Sequence, residues 1–256
     1  MEWWHILLIV LGSLLLLFIL SIIFYKPFFK RFWDIFLSWL ALTVFSPLFL
    51  ILTIIGAIAM KGNPFFVQRR PGKINKKTGK EKIFSLIKFR TMSNAKDKDG
   101  NLLPDEKRLN AYGKFLRSTS LDEFPEALNI FIGDMSVIGP RPQLIKDMVF
   151  MSPEQRQRHI VRPGLSGLAQ VNGRNNITWE QKFEYDIKYI EKYSIFYDIG
   201  LIFKTIGKMF ARSDVAREGT ESDIDFGDWL LQEKKIDIAY YKEKQALAIE
   251  IAKQKN

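Results

Sequence analysis

The hydrophobic pattern divides the chain into two apolar runs followed by a long polar remainder. Ile6 to Tyr25 (ILLIVLGSLLLLFILSIIFY) is free of charge, and about 20 residues make roughly 30 Å of helix, the thickness of a bilayer's hydrocarbon core. This run predicts a membrane span. A cleaved signal peptide is the competing reading, but MEWWH has no Lys or Arg and no small-x-small cleavage site follows the run. Lys26, Lys30 and Arg31 come immediately after it, whereas only Glu2 and His5 precede it. That asymmetry places its C-terminal end at the cytosol.

The second run, Ile35 to Met60, is interrupted by Pro47. Proline removes a backbone donor and clashes with the preceding turn, and the Ser46 hydroxyl can satisfy a carbonyl that the kink frees. Each half is too short to span alone, at about 12 to 14 residues. Basic residues flank both ends, with Lys30 and Arg31 before and Lys61, Arg69 and Arg70 after. Two readings stay open at this point. One is a re-entrant hairpin that bends at Ser46-Pro47 and returns to the cytosolic leaflet; the other is a kinked, tilted span that would put everything beyond Lys61 outside.

From Lys61 onward the pattern is that of a folded domain. Alternation predicts short strands over Pro64–Gln68 and Ile83–Met92, the second with Phe84, Leu86, Lys88 and Arg90 on one face. Asn94–Glu106 is rich in turn formers and charge and predicts a loop; its DKDG lacks the ligand spacing of a calcium loop. Ser152-Pro153-Glu154-Gln155 is a helix start, and Thr178–Tyr193 and Ile195–Ala211 are amphipathic helices. Pro163-Gly164 suits a type II turn and Asn172-Gly173 a tight turn, which places Arg162 and Arg174 on turns. The tail from Trp229 alternates charge and aliphatics like a surface or partner-binding helix. No internal repeat is found.

Composition narrows the chemistry. The chain has 256 residues, no cysteine and a formal net charge of +10, so a disulfide framework and a zinc-thiolate site are excluded. The basic balance predicts a polyanionic partner: nucleic acid, an anionic membrane surface or a phosphorylated substrate. No Walker loop, kinase signature or zinc-ligand cluster is present.

Against that charge, Thr119–Pro142 (TSLDEFPEALNIFIGDMSVIGPRP) sets two adjacent carboxylates, Asp122 and Glu123, just before a proline and encloses Arg141 between two more. Ser120-x-x-Glu123 matches a capping box, so both acids have a structural reading as helix-cap residues, with a start nearer Asp122 easier to reconcile with Pro125. The cations Lys88, Arg90, Arg117, Arg141, Arg162 and Arg174 come from separate segments that are mostly turns or element ends. Phosphate chemistry uses that mixture, because cations neutralise phosphate oxygens, one carboxylate can hold a magnesium ion and another can attack phosphorus.

At these residues the sequence resembles the small monotopic phosphoglycosyl transferases, also called bacterial sugar transferases or polyprenyl-phosphate sugar-1-phosphate transferases. The resemblance covers about Lys30 to Gly219 and rests on Phe45-Ser46-Pro47, QRRPG (Gln68–Gly72), KFRTM (Lys88–Met92), SLDE (Ser120–Glu123), GDMSVIGPRP (Gly133–Pro142), RPGLSG (Arg162–Gly167) and AQVNGRN (Ala169–Asn175). It implies an α-rich α+β fold with a re-entrant membrane helix broken at Ser46-Pro47, amphipathic interface helices and a few short strands, lying on the cytosolic face of the bacterial inner membrane. It implies transfer of a sugar-1-phosphate from a UDP-sugar to a polyprenyl phosphate, with UMP released and a covalent aspartyl phospho-sugar formed on the way. By the same resemblance Asp122 is the nucleophile and Glu123 a magnesium (Mg2+) ligand. Lys88, Arg141 and Arg174 are phosphate clamps with Arg90 and Arg162 as further candidates, and Asp198 is an additional carboxylate for the acceptor phosphate or the metal, with Asp186 a weaker one.

The expected organisation is an added N-terminal span over residues 1–25, the re-entrant helix over 26–61, a catalytic domain over 62–219 and a helical tail over 220–256. The tail could pack on the domain, lie on membrane lipids, or meet a second subunit or a following glycosyltransferase. Two other function classes are weighed. An inactive membrane scaffold of the same fold would tolerate loss of the acidic pair, which this chain retains. A nucleic-acid-binding domain would cluster its cations with stacking aromatics, whereas here they sit singly beside Pro and Gly, so no nucleic acid is expected among the partners.

Overall fold

The structure, a computed structural model, describes residues 2–173, 177–211 and 224–254. The first apolar run lies in helix α1 (Trp3–Ile23), nearly all of whose side chains are exposed. Among the described residues it is the one helix that is by itself long and apolar enough to cross a membrane. A short π-helix, Tyr25–Phe29, leads into α2 (Lys30–Val44), and α3 (Ser46–Met60) follows at 66°. The bend has a local cause. Pro47 has no N–H to give to the Thr43 carbonyl, and the Ser46 hydroxyl donates to that carbonyl instead at 2.9 Å.

Both arms of the bent pair are bonded to the same body of chain. In α2, Asp34 accepts from Ser136 Oγ at 2.9 Å and from the Val137 N–H at 2.8 Å, while Arg31 donates to the carbonyls of Ile130 and Phe131. In α3, the Leu52 carbonyl accepts from Tyr112 at 2.8 Å and the Ala59 carbonyl from Asn110 at 3.1 Å. At the bend the rings of Phe45 and Phe49 lie 6.2 and 5.6 Å from that of Phe124.

The two expected strands form one antiparallel hairpin, β1 (Phe65–Ile74) with β2 (Glu81–Phe89), Phe65 opposite Phe89 and Arg70 opposite Phe84. β1 runs further than alternation suggests, through Arg69-Arg70-Pro71-Gly72, because a register shift between Pro71 and Ile74 accommodates a residue that cannot donate to the ladder. Phe84 and Leu86 share one face, as expected, and pack with Ile130 and Met135. Beyond the loop come α4 (Asp105–Arg108), α5 (Ala111–Thr119) and α6 (Glu126–Ile132). Asn129 of α6 fixes the helix to the hairpin by accepting from the Ile87 N–H and donating to the Ser85 carbonyl.

Strands β3 (Ser136–Ile138) and β4 (Gly164–Ser166) pair in parallel. Here the turn expected at Pro163-Gly164 gives way to a strand start. Gly164 is required for a different reason: a Cβ there would sit 2.0 Å from the Gly139 nitrogen, so the two backbones meet where a side chain cannot fit. The expected helix start at Ser152 is present, its hydroxyl and Gln155 capping each other, but it opens only the one-turn α8 (Pro153–Arg156), which follows α7 (Ile145–Met148). After the one-turn α9 (Leu168–Val171), α10 (Trp179–Lys192) and α11 (Ile195–Ala211) occupy the expected segments.

The tail packs onto the domain. Phe226 of α12 (Phe226–Gln232) is buried with Phe150, Trp179 and Phe183, and Ala248 of α13 (Ile238–Lys253) is buried with Ile83, Ile145 and Met148. The architecture is therefore helix-rich with a few short strands, as the sequence suggests.

Candidate active site

The acidic pair is not a helix cap. Ser120 adopts the left-handed conformation (φ 56°) and terminates α5, so its hydroxyl caps nothing, and Leu121–Glu123 form a single 3-10 turn before Pro125 and α6. The capping-box reading fails because a residue that closes one helix in this conformation cannot also present the extended backbone that an N-cap needs. The two carboxylates are thus held on a tight turn between helices.

Two of the expected phosphate clamps converge on that turn. Lys88, at the end of β2, places Nζ 2.9 Å from Glu123 and 3.0 Å from Glu126, and Arg141 places Nη2 2.8 Å from Glu123. The charge of Glu123 above all raises Arg141 above its ordinary pKa; burial opposes this, and Glu126 and Asp122 add to the rise. The Asp122 charge thus acts on the same guanidinium. Burial above all, with the Glu123 charge, brings the Glu126 carboxyl up to about 7 against the opposing pull of Lys88 and Arg141.

The backbone of Arg141 is pinned from both sides. Arg158 donates to the Arg141 carbonyl at 2.7 Å while pairing with Asp186 at 2.6 Å, and Arg70 of β1 donates to the Pro142 carbonyl at 3.1 Å. Gly139 and Gly164 bring β3 and β4 together just before this segment, with the Gly139 N–H on the Ser166 carbonyl and the Gly164 N–H on the Pro140 carbonyl. Asp186 thus acts through Arg158 on the loop that presents Arg141.

Other expected site residues lie in other settings. Asp198 is buried and accepts from Tyr25 (2.6 Å), Lys30 (2.6 Å) and Tyr189 (2.9 Å), so it joins α11 to the start of the bent α2–α3 pair. Arg162 donates to the Gly133 carbonyl at 2.9 Å, which with Arg31 places two guanidiniums at the C-terminal end of α6, where the helix dipole favours cations. Arg90 follows Lys88 by two residues, and its N–H bonds to the Pro64 carbonyl at the exit from α3. Arg174 lies outside the described residues. Glu126, paired with Lys88, and Arg70, bonded to the Pro142 carbonyl, adjoin these residues and were not singled out by the pattern. The signal for Glu126 was its place three residues after Glu123, and Arg70 stood inside QRRPG.

Among the described residues no group of three or more His, Cys, Asp or Glu gathers into a metal cage. Magnesium does not need one, since it commonly binds one or two carboxylates together with substrate phosphates and water. Glu123 offers a carboxylate for that mode, with its Oε1 engaged by Lys88 and Arg141.

The sequence profile of the bacterial sugar transferases matches residues 25–212, which begins just after α1 and ends before the tail. A Bacillus subtilis protein described as the uncharacterized sugar transferase EpsL is 43% identical over 168 residues, covering 65% of this chain and 80% of that one. The UDP-glucose:undecaprenyl-phosphate glucose-1-phosphate transferase of Klebsiella pneumoniae is 38% identical over 193 residues, covering 71% of this chain and 40% of the relative. The UDP-N-acetylgalactosamine-undecaprenyl-phosphate N-acetylgalactosaminephosphotransferase of Aeromonas hydrophila is 35% identical over 187 residues, covering 70% of this chain and 43% of its own length. The chain thus spans less than half the length of these two named transferases and four-fifths of the Bacillus protein. With a family match from the start of the hairpin through α11, and the acidic turn, Lys88 and Arg141 assembled inside it, the chain belongs to the bacterial sugar transferases.

Proposed function

We propose that the chain transfers a sugar-1-phosphate from a UDP-sugar to a polyprenyl phosphate, undecaprenyl phosphate in the first instance, as a membrane step of glycoconjugate or exopolysaccharide assembly. The observation that carries this reading is the convergence of Lys88 and Arg141 on Glu123 beside Asp122. The names of the Klebsiella and Aeromonas relatives support it.

In this reading an Asp122 oxygen attacks the β-phosphorus of the donor. The bond from that phosphorus to the bridging oxygen breaks, and UMP leaves with the electron pair. A phosphate oxygen of the lipid acceptor then attacks the same phosphorus and releases the Asp122 carboxylate. Lys88 and Arg141 neutralise the diphosphate as charge moves onto UMP, and Arg174 is the third clamp. Glu123 would hold a magnesium ion, which supplies positive charge to the diphosphate oxygens. Asp198 serves by fixing Lys30 and Tyr25, and through them the hairpin, against the domain. The bent α2–α3 pair enters and leaves the cytosolic leaflet on one side, a reading supported by the bonds of both arms to one domain.

The test is UMP release from a panel of UDP-sugars, with and without undecaprenyl phosphate. Without acceptor, the matching donor should release up to about one equivalent of UMP, because the acyl phosphate forms and then waits. Asp122→Asn should abolish that release. A folded Asp122→Asn protein that turns over at the wild-type rate would remove the covalent mechanism, and a panel without turnover would remove the transfer reading.

A further inference from the structure

Lys88 and Arg141 each have a carboxylate partner, and so does Arg158 behind them. Arg70 differs. Among the described residues no carboxylate stands within ion-pair distance of it; its Nη1 donates to the Pro142 carbonyl at 3.1 Å and its Nη2 to Gln68 Oε1 at 2.6 Å. Its Nε is shut off from solvent and has no partner. Arg70 as a whole is half-buried, and a guanidinium, which stays charged at neutral pH, is disfavoured in such a setting without a counter-ion.

The neighbouring charge makes this less favourable still. Burial first and the like charge of Arg141 second bring Arg70 down to about 10, against the opposing pull of Asp147, Glu126 and Asp225. Two arginines that repel each other, one of them holding the backbone next to the other, form an arrangement that an anion between them would relieve. Phosphate oxygens suit it, since a planar guanidinium offers paired donors to two oxygens of one phosphate group.

We propose that Arg70 and Arg141 form a paired guanidinium seat for a phosphate group, with Arg70 a binding residue of the transfer site. This rests on the function proposed above and adds to it the residue that would bring a permanent, unneutralised charge to the substrate. Either the donor diphosphate or the acceptor monophosphate could fill the seat, so both are tested.

The experiment measures binding of UDP and of farnesyl phosphate to the full chain in detergent micelles, with the thermal midpoint of the unliganded protein alongside. Arg70→Gln should weaken one of the two ligands about tenfold or more while the unliganded midpoint stays level or rises, because the repulsion with Arg141 is gone. Loss of UDP affinity assigns the seat to the donor and loss of farnesyl phosphate affinity to the acceptor. A purely structural Arg70 gives the opposite signature, a lower midpoint with both affinities intact in the folded protein, and that result overturns the proposal. If Arg70→Gln does not fold, Arg70→Lys decides: it keeps the charge but loses the planar fork, so affinity should fall by roughly two- to fivefold, and wild-type affinity overturns the proposal. A wild-type protein that binds neither ligand removes the transfer reading and this seat with it.

Discussion

At the scale of single residues, the acidic turn is a place where Lys88 and Arg141 are neutralised by Glu123. Glu123 holds both Lys88 and Arg141, so replacing it would release two cations as well as remove the proposed metal ligand. Glu123→Gln should weaken the magnesium dependence of UMP release and lower its rate by roughly tenfold to a hundredfold, read by titrating magnesium at fixed donor. Glu81 makes a pH prediction away from the chemistry. Burial alone would raise its carboxyl, but hydrogen bonds from His159 and Arg156 outweigh burial and hold it at about 2. Its folded value is below its unfolded one, so its contribution to stability is present above about pH 4.5 and is lost as pH falls towards 2. Glu81→Gln should therefore destabilise the protein by roughly 1–3 kcal/mol at pH 7, and the gap to wild type should close in melts run below pH 3.

Elements show which parts of the sequence were legible. Pro47 and Ser46 announced the break between α2 and α3 because its cause is local, a missing donor and a hydroxyl that replaces it. The long amphipathic helices α10 and α11 were legible for the same reason, as periodicity over four turns needs no distant partner. Ser120 and Gly164 were misread because their conformations are set by tertiary contacts, Ser120 by the need to close α5 and Gly164 by the approach of Gly139 from β3. Lys88 and Arg141 could be named from the family pattern, but Arg70 and Glu126 become site residues only when the hairpin and α6 are folded against each other. Two variants test the local causes. Pro47→Ala should let α2 and α3 straighten, with activity falling before protein level does, and unchanged activity would show that packing alone sets the 66° bend. Gly164→Ala should destabilise the domain by about 3 kcal/mol or more, since its Cβ would meet backbone rather than a movable side chain.

For the whole molecule, one domain is bonded to both arms of the bent pair, and this fixes an expectation about sidedness. A cysteine placed at Glu2 should react with an impermeant thiol reagent from outside the cell, and one placed at Lys61 only from the cytosol. Labelling of position 61 from outside would mean that α2 and α3 cross the bilayer as one kinked span. The tail contributes to the same body: Phe226→Ala should cost about 3–5 kcal/mol by emptying the space among Phe150, Trp179 and Phe183, measured as a fall in the thermal midpoint.

The ion pair between Lys30 and Asp198 joins residues 168 positions apart, and the ribosome sets the order in which they appear. At about 5–20 residues per second, roughly 10 to 30 s separate the synthesis of Lys30 from that of Asp198. Throughout that interval the bent α2–α3 pair exists without the carboxylate that later neutralises its base, so Lys30 spends it compensated by water alone. The charge left open at the base of the nascent bent pair is the same one that α11 afterwards neutralises, and a chain arrested before Asp198 would keep it uncompensated.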